Sequence, residues 1–208
     1  MTRMSKVIVV CGSGSGAGKT TLVNKLVSMI PDSTSLFFDN YHETTKYPDN
    51  IFQMLIDGID VDPKEIESPV WYRDLYNLSH GNMIVDPTNK VRQPSHFIFI
   101  EEPYGRQRMG MDELIDFVIC VDLPLDISLA RRILRNYRKD FINMTIEDRE
   151  KLIIFTIEEY LNGGRTAYNQ MFKAVSSSCD LLINGLKSTD EQANEVINFL
   201  KQEKVLID

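Results

Sequence analysis

The sequence predicts an α/β protein of three layers, α/β/α, in which helices cover both faces of a mostly parallel central sheet of about five strands. Short apolar runs alternate with longer stretches of helical periodicity, which is typical of a parallel sheet with helical crossovers. The runs are almost entirely apolar, as expected for strands that are buried on both faces. Strands are predicted near residues 6–11, 35–38, 97–100, 117–121 and 181–184, and helices begin near residues 18, 126, 145 and 189.

A glycine-rich run joins the first predicted strand to the first helix and predicts the P-loop NTPase version of this fold. Small residues let backbone N–H groups turn toward phosphates, and the helix that follows directs its positive end at them. Lys19 would reach the β- and γ-phosphates of ATP, and Thr20 would offer its hydroxyl to Mg²⁺. The predicted ATP-binding residues of the run are Ser13, Gly14, Ser15, Gly16, Ala17, Gly18, Lys19, Thr20 and Thr21.

One position of this run departs from the usual pattern G-x-x-x-x-G-K-[ST]. Ser13 stands where the first glycine is expected, and Gly12 comes one place too early. If that position needs a positive φ, serine strains the turn by roughly 1 kcal/mol. The sequence therefore predicts a slightly variant phosphate-binding loop.

The second strand is followed by Asp39, twenty positions after Lys19. A carboxylate at the carboxyl end of a strand next to the phosphate loop can accept a proton from a substrate hydroxyl or help to hold Mg²⁺. The alternative is that Asp39 only caps a turn or helix.

The third strand, residues 97–100, ends in two adjacent acids, Glu101 and Glu102. Four apolar residues and an acid match a Walker B segment, whose carboxylate acts on the metal through water. Glu101 is the predicted metal-site acid and Glu102 is the alternative. A pair of strand-end glutamates is also compatible with a simple polar boundary.

Residues 41–94 depart from the alternation of strands and helices. This stretch carries five of the eight prolines, together with Trp71, Tyr72 and Tyr76. It is interpreted as a long excursion that covers the substrate site.

Residues 126–175 have a helical pattern that is interrupted at Gly163 and Gly164, which makes them a candidate mobile lid. Basic residues crowd the end of the first lid helix beyond what complementing its dipole requires. The cluster suits a lid whose arginines neutralise the transferring phosphoryl group, with Arg131 and Arg135 as the predicted catalytic pair. Arg131 and Arg135 share one helix face and Arg132 and Lys139 share another, so some of these residues must face solvent. The chain as a whole is interpreted as one domain, residues 1–208.

The composition excludes several classes of protein. A net charge of −7 does not supply the basic face that nucleic-acid binding needs, and the longest apolar runs are far shorter than a membrane span. The three cysteines lack metal-ligand spacing, so we expect reduced thiols in a cytoplasmic protein. The sequence leaves a homo-oligomer possible.

These motifs resemble the uridine kinase and phosphoribulokinase group of P-loop kinases over most of residues 6–185. The resemblance depends on the P-loop, residues 38–41, 120–126 and 130–135, and residues 160–161 with 178–185. It implies phosphorylation of a small-molecule hydroxyl with ATP and Mg²⁺, with Asp39 as general base. It also implies that Arg131, Arg132 and Arg135 bind phosphate, and that Asn184 lies near the adenine.

The acceptor residues are where the chain departs from this group. Asp39 and Tyr41 fall in the matching segment, and Tyr72 is the candidate match to the family's Tyr-Asp-Phe motif, although no histidine clearly matches the one that follows it. Arg106 lies in a segment that replaces the family's usual acid-glycine pair, and with Arg73 it could contact an acidic acceptor. A nucleoside acceptor, a nucleoside monophosphate or acidic acceptor, and an ATP-binding or ATPase switch without an acceptor all remain open.

Overall fold

The computed structural model describes residues 3–140 and 142–206. The ends of the predicted domain 1–208 and residue 141 of the predicted lid region lie outside these residues. Among the described residues, five parallel strands form the central sheet. They are β1 (Lys6–Gly12), β2 (Ser33–Phe37), β5 (Phe97–Glu101), β6 (Phe117–Asp122) and β7 (Leu181–Asn184), and the small strands β3 (Ile84–Val85) and β4 (Val91–Arg92) form a separate hairpin.

The order of strands across the sheet is β2-β5-β1-β6-β7, so β1 lies at the centre. Val9 pairs in register with Ile100 on one side and with Val118 on the other. The strands are buried because helices pack on both faces, which explains their almost wholly apolar sequences. The predicted three-layer α/β/α fold is confirmed.

Eight α-helices surround the sheet in the described part of the chain. They are α1 (Lys19–Met29), α2 (Ile51–Ile56), α3 (Pro69–Ser79), α4 (Met111–Leu114), α5 (Leu125–Arg135), α6 (Ile146–Glu159), α7 (Arg165–Ser176) and α8 (Thr189–Gln202). Side chains of α1 and α8 pack on one face of the sheet, and side chains of α3, α4 and α7 pack on the other. Each face therefore has its own apolar core.

The excursion 41–94 folds into defined elements. A 3₁₀ turn, Phe38–Thr44, leads from β2 into it, and α2, α3 and the β3–β4 hairpin follow. Trp71 on α3 lies in the core and makes edge-on contacts with the rings of Phe38 and Tyr41. The excursion is thus anchored to the sheet through α3.

The predicted interruption of the lid region is present. A π-helical turn, Tyr160–Gly164, separates α6 from α7, and Gly163 adopts a φ of 141° that favours glycine. The predicted strand and helix starts all agree with the observed elements to within two residues. Among the described residues, no helix combines the length and the apolar composition that crossing a bilayer requires.

Candidate functional site: a phosphate-binding cleft at the carboxyl edge of the sheet

The glycine-rich run forms a tight loop between β1 and α1. Gly16 and Gly18 have φ values of 101° and 98°, in the left-handed region that favours glycine. A side chain at Gly16 would also place its Cβ 2.3 Å from the backbone oxygen of Ser128 on α5. The loop leads directly into the amino-terminal end of α1 at Lys19, the arrangement that favours an anion.

Ser13 fits the loop without the strain considered above. It is not among the described non-glycine residues that have a positive φ. Its hydroxyl donates to the backbone oxygen of Leu123 (2.5 Å) and accepts from the backbone N–H of Leu123 (3.2 Å). The serine therefore fastens the loop to the segment that follows β6, a contact that glycine could not make.

Lys19, Thr20 and Glu101 converge at the mouth of the loop. The Lys19 ammonium donates to the backbone oxygen of Gly14 (3.0 Å) and lies 3.7 Å from Oε1 of Glu101. The Thr20 hydroxyl donates to Oε2 of Glu101 at 2.5 Å. A cation, a hydroxyl and a carboxylate thus meet at the carboxyl ends of the adjacent strands β1 and β5, the edge at which parallel α/β sheets bind ligands.

The two adjacent glutamates are placed differently. Glu102 has no exposed surface, and its carboxylate accepts from the backbone N–H of Tyr104 (2.9 Å) and pairs with Arg108 (2.6 Å). Burial raises the pKa of Glu102 above its ordinary value, and the Arg108 guanidinium opposes that rise. Glu101, in contrast, faces the phosphate loop, so it alone of the two is available to a metal in this structure.

A cleft of about 940 Å³ opens above the loop, and most of the residues predicted to bind ATP or the metal line it. Asp39 lines it from the start of the 3₁₀ turn; the residue is exposed, and its carboxylate makes no hydrogen bond to another described residue. Arg131 and Arg135 line it from α5, on the shared face that their spacing predicts. Other predicted site residues that line it are Gly14, Ser15, Gly16, Ala17, Gly18, Lys19, Thr20, Thr21 and Glu101.

Helix α5 is docked on the phosphate loop. The Ser128 hydroxyl donates to the backbone oxygen of Ser15 at 2.8 Å, and the backbone of Ser128 occupies the space beside Gly16. Arg131 in turn donates to the backbone oxygen of Gly185 after β7 (3.4 Å). These contacts bring the arginines of α5 over the loop.

Three residues predicted to bind ATP do not line the cleft: Ser13, which is buried in the loop, and Arg132 and Asn184. Arg132 is directed about 100° around the helix from Arg131, where its guanidinium donates to the Tyr168 hydroxyl (3.3 Å) and lies 3.9 Å from Glu159. The Asn184 side chain instead accepts from the backbone N–H of Leu186 (2.9 Å). Asn184 thereby shapes the turn whose next residues, 186–189, do line the cleft.

Three predicted acceptor residues are also outside the cleft. Tyr41 is fully buried, and its hydroxyl donates to Asp74 at 3.1 Å. Tyr72 packs beside Gly110 and Tyr76 on the outer part of α3. The Arg73 side chain is 63% exposed and donates twice to Asp74, at 2.8 and 2.9 Å. The α3 segment therefore contributes packing and buried polar contacts, and the structure does not bring these three residues to Asp39.

Arg106 is likewise placed away from the predicted acceptor position. Its guanidinium donates to the backbone oxygen of Asp116 and to the carboxylate of Asp180 (2.8 Å). These two residues directly precede β6 and β7, at the amino-terminal edge of the sheet. Arg106 therefore ties a loop to the edge opposite the phosphate-binding loop.

Sequence reasoning missed the residues that α7 and α8 supply. Tyr168 and Met171 of α7, together with Thr189 and Gln192 of α8, line the cleft. The Tyr168 ring lies against Gly14, where an added Cβ would be 3.3 Å from its Cγ. The predicted lid segment contained α7, but nothing in its sequence singled out the face that meets the loop.

The oxygen-bearing side chains beside the phosphate loop suit magnesium that is bound to a nucleotide. The described residues contain no group of three or more His, Cys, Asp or Glu side chains suited to holding a metal by themselves. Mg²⁺ in phosphoryl-transfer sites is held by one or two protein oxygens together with the phosphates. The Thr20 hydroxyl and the Glu101 carboxylate, 2.5 Å apart beside the phosphate loop, fit that requirement.

The chain is similar in sequence to curated uridine kinases, while no family model matches it. It is 28% identical to the uridine kinase of Borrelia hermsii over 216 residues, which cover 95% of each chain. The identity to the uridine kinase of Borreliella burgdorferi is also 28%, again over 95% of each chain. The uridine kinase of Macrococcus caseolyticus is 24% identical over 193 residues, or 86% of this chain and 89% of the relative.

Two solved structures share the fold. A putative fructose transport system kinase from Silicibacter sp. TM1040 superposes with a TM-score of 0.53 at 14% identity, covering 87% of this chain and 90% of the other. A possible uridine kinase from Bacillus stearothermophilus gives a TM-score of 0.50 at 16% identity, with 88% and 91% covered. The similarity in sequence over most of the chain confirms the resemblance to uridine kinases, and the two solved structures share its fold.

Proposed function

We propose that this enzyme transfers the γ-phosphoryl group of ATP, with Mg²⁺, to a hydroxyl of an uncharged small metabolite of the nucleoside type. The observation that carries the proposal is the convergence of Lys19, Thr20 and Glu101 on a cleft that Asp39 also lines. The similarity to uridine kinases over 95% of the chain supports the nucleoside class.

On the donor side, the chain binds and neutralises phosphate. Backbone N–H groups of the loop and the amino-terminal end of α1 hold the phosphates, and Lys19 exchanges its contact with the backbone oxygen of Gly14 for a phosphate oxygen. Arg131 and Arg135 approach from α5 and stabilise the charge that spreads over the transferring group. Thr20 and Glu101 would hold Mg²⁺, which when bound would supply further neutralisation of that charge.

On the acceptor side, Asp39 orients the hydroxyl and takes its proton. A carboxylate is suited to this role because it accepts hydrogen bonds and can take up the proton of a hydroxyl. Asp39 makes no competing hydrogen bond within the described residues. Catalysis then consists mainly of placing the hydroxyl in line with the γ-phosphorus.

The charges around Asp39 favour an uncharged acceptor over a monophosphate or an acid. The two arginines that would recognise an anionic acceptor, Arg73 and Arg106, are engaged by Asp74 and Asp180 outside the cleft. Asp39 and Glu101 contribute negative charge beside the acceptor position. The cations that do line the cleft, Lys19, Arg131 and Arg135, are assigned to the ATP phosphates, so an anionic acceptor would need a further cation.

The test is Mg·ATP turnover by the purified protein across nucleosides, sugars, pantothenate, nucleoside monophosphates and sugar phosphates, with the phosphorylated product identified by mass spectrometry. We expect an uncharged nucleoside or sugar to be phosphorylated, and the product to be absent with Lys19→Ala. Preference for a monophosphate or an acid would overturn the acceptor class. Slow ATP hydrolysis that no acceptor stimulates would favour a nucleotide-dependent switch instead.

A further inference from the structure

A buried ion pair between Glu102 and Arg108 lies next in the chain to Glu101, one of the acidic residues that line the cleft. Glu102 follows Glu101 at the end of β5, and its carboxylate lies 2.6 Å from Nη2 of Arg108, which is itself 3% exposed. The donor is not aligned for a regular hydrogen bond, and Nε of Arg108 has no hydrogen-bond partner among the described residues. Burying two charges is costly, so a pair of this kind calls for an explanation beyond stability.

Arg108 connects this ion pair to the turn that carries Asp39. Its guanidinium lies over the ring of Phe38, the residue before Asp39, with the Cζ atom 4.1 Å from the ring centroid. The ring of Tyr104 lies 5.7 Å from the same atom. A planar guanidinium suits this position because it stacks on aromatic faces while its N–H groups bond in the plane.

A chain of hydrogen bonds makes a second connection to the same turn. Nη1 of Arg108 donates to the Ser68 hydroxyl (2.7 Å), which lies 2.9 Å from the Thr45 hydroxyl. The Thr45 hydroxyl then donates to the backbone oxygen of Tyr41 at 3.0 Å. The turn Phe38–Thr44 is thus connected to Arg108 at its first residue and at Tyr41, in its middle.

Ser68 shows that this connection competes with an ordinary local interaction. It is the residue that precedes α3, where a serine hydroxyl usually accepts a backbone N–H of the first helical turn. Here it makes no such capping bond. Its hydroxyl is used for Arg108 and Thr45 instead.

We propose that Glu102 and Arg108 form a positioning clamp that fixes Asp39 on the 3₁₀ turn relative to Glu101 on β5. The clamp joins the residue after Glu101 to the residue before Asp39 through one rigid, buried guanidinium. Fixing these two carboxylates sets where the acceptor hydroxyl sits relative to the metal and the γ-phosphoryl group, and a displacement of about 1 Å can cost about 100-fold in rate. The proposal rests on the proposed function, because it assigns Arg108 a role in that transfer.

The experiment compares Arg108→Met with Arg106→Met in the protein that transfers phosphate to its acceptor. Arg106 lies in the same loop and also forms an ion pair, but its contacts are to Asp116 and Asp180 at the other edge of the sheet. For Arg108→Met we expect acceptor-dependent kcat to fall about 100-fold while the KM for ATP changes less than threefold. We also expect Arg108→Met to hydrolyse more ATP for each acceptor molecule that it phosphorylates. Arg106→Met should keep the wild-type ratio of ATP hydrolysed to acceptor phosphorylated.

Two further variants separate positioning from stability. Arg108→Lys keeps the charge and loses the planar fork, so it should recover only part of the lost kcat. Ser68→Ala removes the link to Thr45 with little loss of buried volume, so it should fold and lower kcat in the same direction by a smaller factor. If Arg108→Met does not fold, the result for Ser68→Ala decides.

The outcomes are distinct. A wild-type protein that phosphorylates no acceptor removes the proposed function, and the clamp with it. The clamp alone is overturned if the wild type is active and Arg108→Met keeps the wild-type kcat and the wild-type ratio of ATP hydrolysed to acceptor phosphorylated. It is also overturned if Arg108→Met changes these two quantities only as much as Arg106→Met does. The same holds if a folded Ser68→Ala protein is indistinguishable from wild type when Arg108→Met cannot be purified.

Discussion

The phosphate side of the cleft and the side that faces Asp39 are built in different ways. The phosphate side consists of one continuous loop and the helix it begins, with α5 docked on it through Ser128. The Asp39 side is assembled from a 3₁₀ turn, the start of α3 and the loop after β5, which are distant in sequence. They meet through Arg108 and its neighbours.

This difference explains why a short sequence motif specifies the phosphate side of the cleft but not the side that faces Asp39. A phosphate is recognised by backbone N–H groups and one lysine, so a short motif at fixed spacing is sufficient. An acceptor is recognised by side chains brought together from several elements, and each can be redirected by a local partner. Tyr41 and Arg73 illustrate the second case, because buried Asp74 binds both.

The largest expected effect is on the phosphate side. Lys19→Ala should lower phosphoryl transfer by about 10³-fold or more, because one preorganised cation facing the transferring charge is lost. Steady-state turnover and circular dichroism measure activity and folding together. Lys25→Ala is the matched control, since Lys25 lies on the same helix and pairs with Asp190 at the surface. A folded Lys19→Ala protein with wild-type turnover would contradict the assignment.

The next effect concerns the acceptor side. Asp39→Asn should reduce kcat by about 10²- to 10⁴-fold, because the amide cannot accept the hydroxyl proton. ATP affinity, measured by calorimetric titration, should change less than threefold. Asp57→Asn, in the exposed part of the excursion, serves as the control. Equal losses in kcat and ATP affinity would mean that Asp39 belongs to the phosphate side instead.

Glycine substitutions test how tightly the phosphate side is packed. Gly18→Ala has open space around the new Cβ and should cost about 1–2 kcal/mol of unfolding free energy through its positive φ alone. Gly16→Ala should cost more and weaken ATP binding, because its Cβ meets the backbone of Ser128 at 2.3 Å. Urea unfolding and ATP titration measure both. Equal losses of unfolding free energy in the two variants would show that α5 moves away from the added methyl group at little cost.

The smallest effect is expected at Arg73. Arg73→Ala should leave the acceptor KM within twofold of wild type, because its mostly exposed guanidinium bonds to Asp74 outside the cleft. The unfolding free energy should fall by about 1 kcal/mol through loss of a donor to a buried carboxylate. Acceptor titration and thermal unfolding measure the two quantities. A tenfold rise in acceptor KM would return Arg73 to the acceptor side.

The layered fold, the phosphate loop and the shared face of Arg131 and Arg135 could be predicted from the sequence, whereas the direction of Arg132 could not. These properties depend on local periodicity: apolar runs indicate buried strands, and a spacing of four places Arg131 and Arg135 on one helix face. The sequence also indicated Asp39 and the two acids at the end of β5, because the carboxyl ends of parallel strands lie at one edge of a sheet.

The assignment of Glu101 rather than Glu102 to the cleft required the folded structure, and so did the finding that Tyr41, Tyr72 and Arg73 lie outside it. Adjacent residues on a strand end point in opposite directions, so one glutamate faces Thr20 while the other is buried against Arg108. Arg106 pairs with Asp180 because the loop after β5 brings it beside the start of β7. Such pairings depend on contacts between segments distant in the chain, which no local pattern specifies.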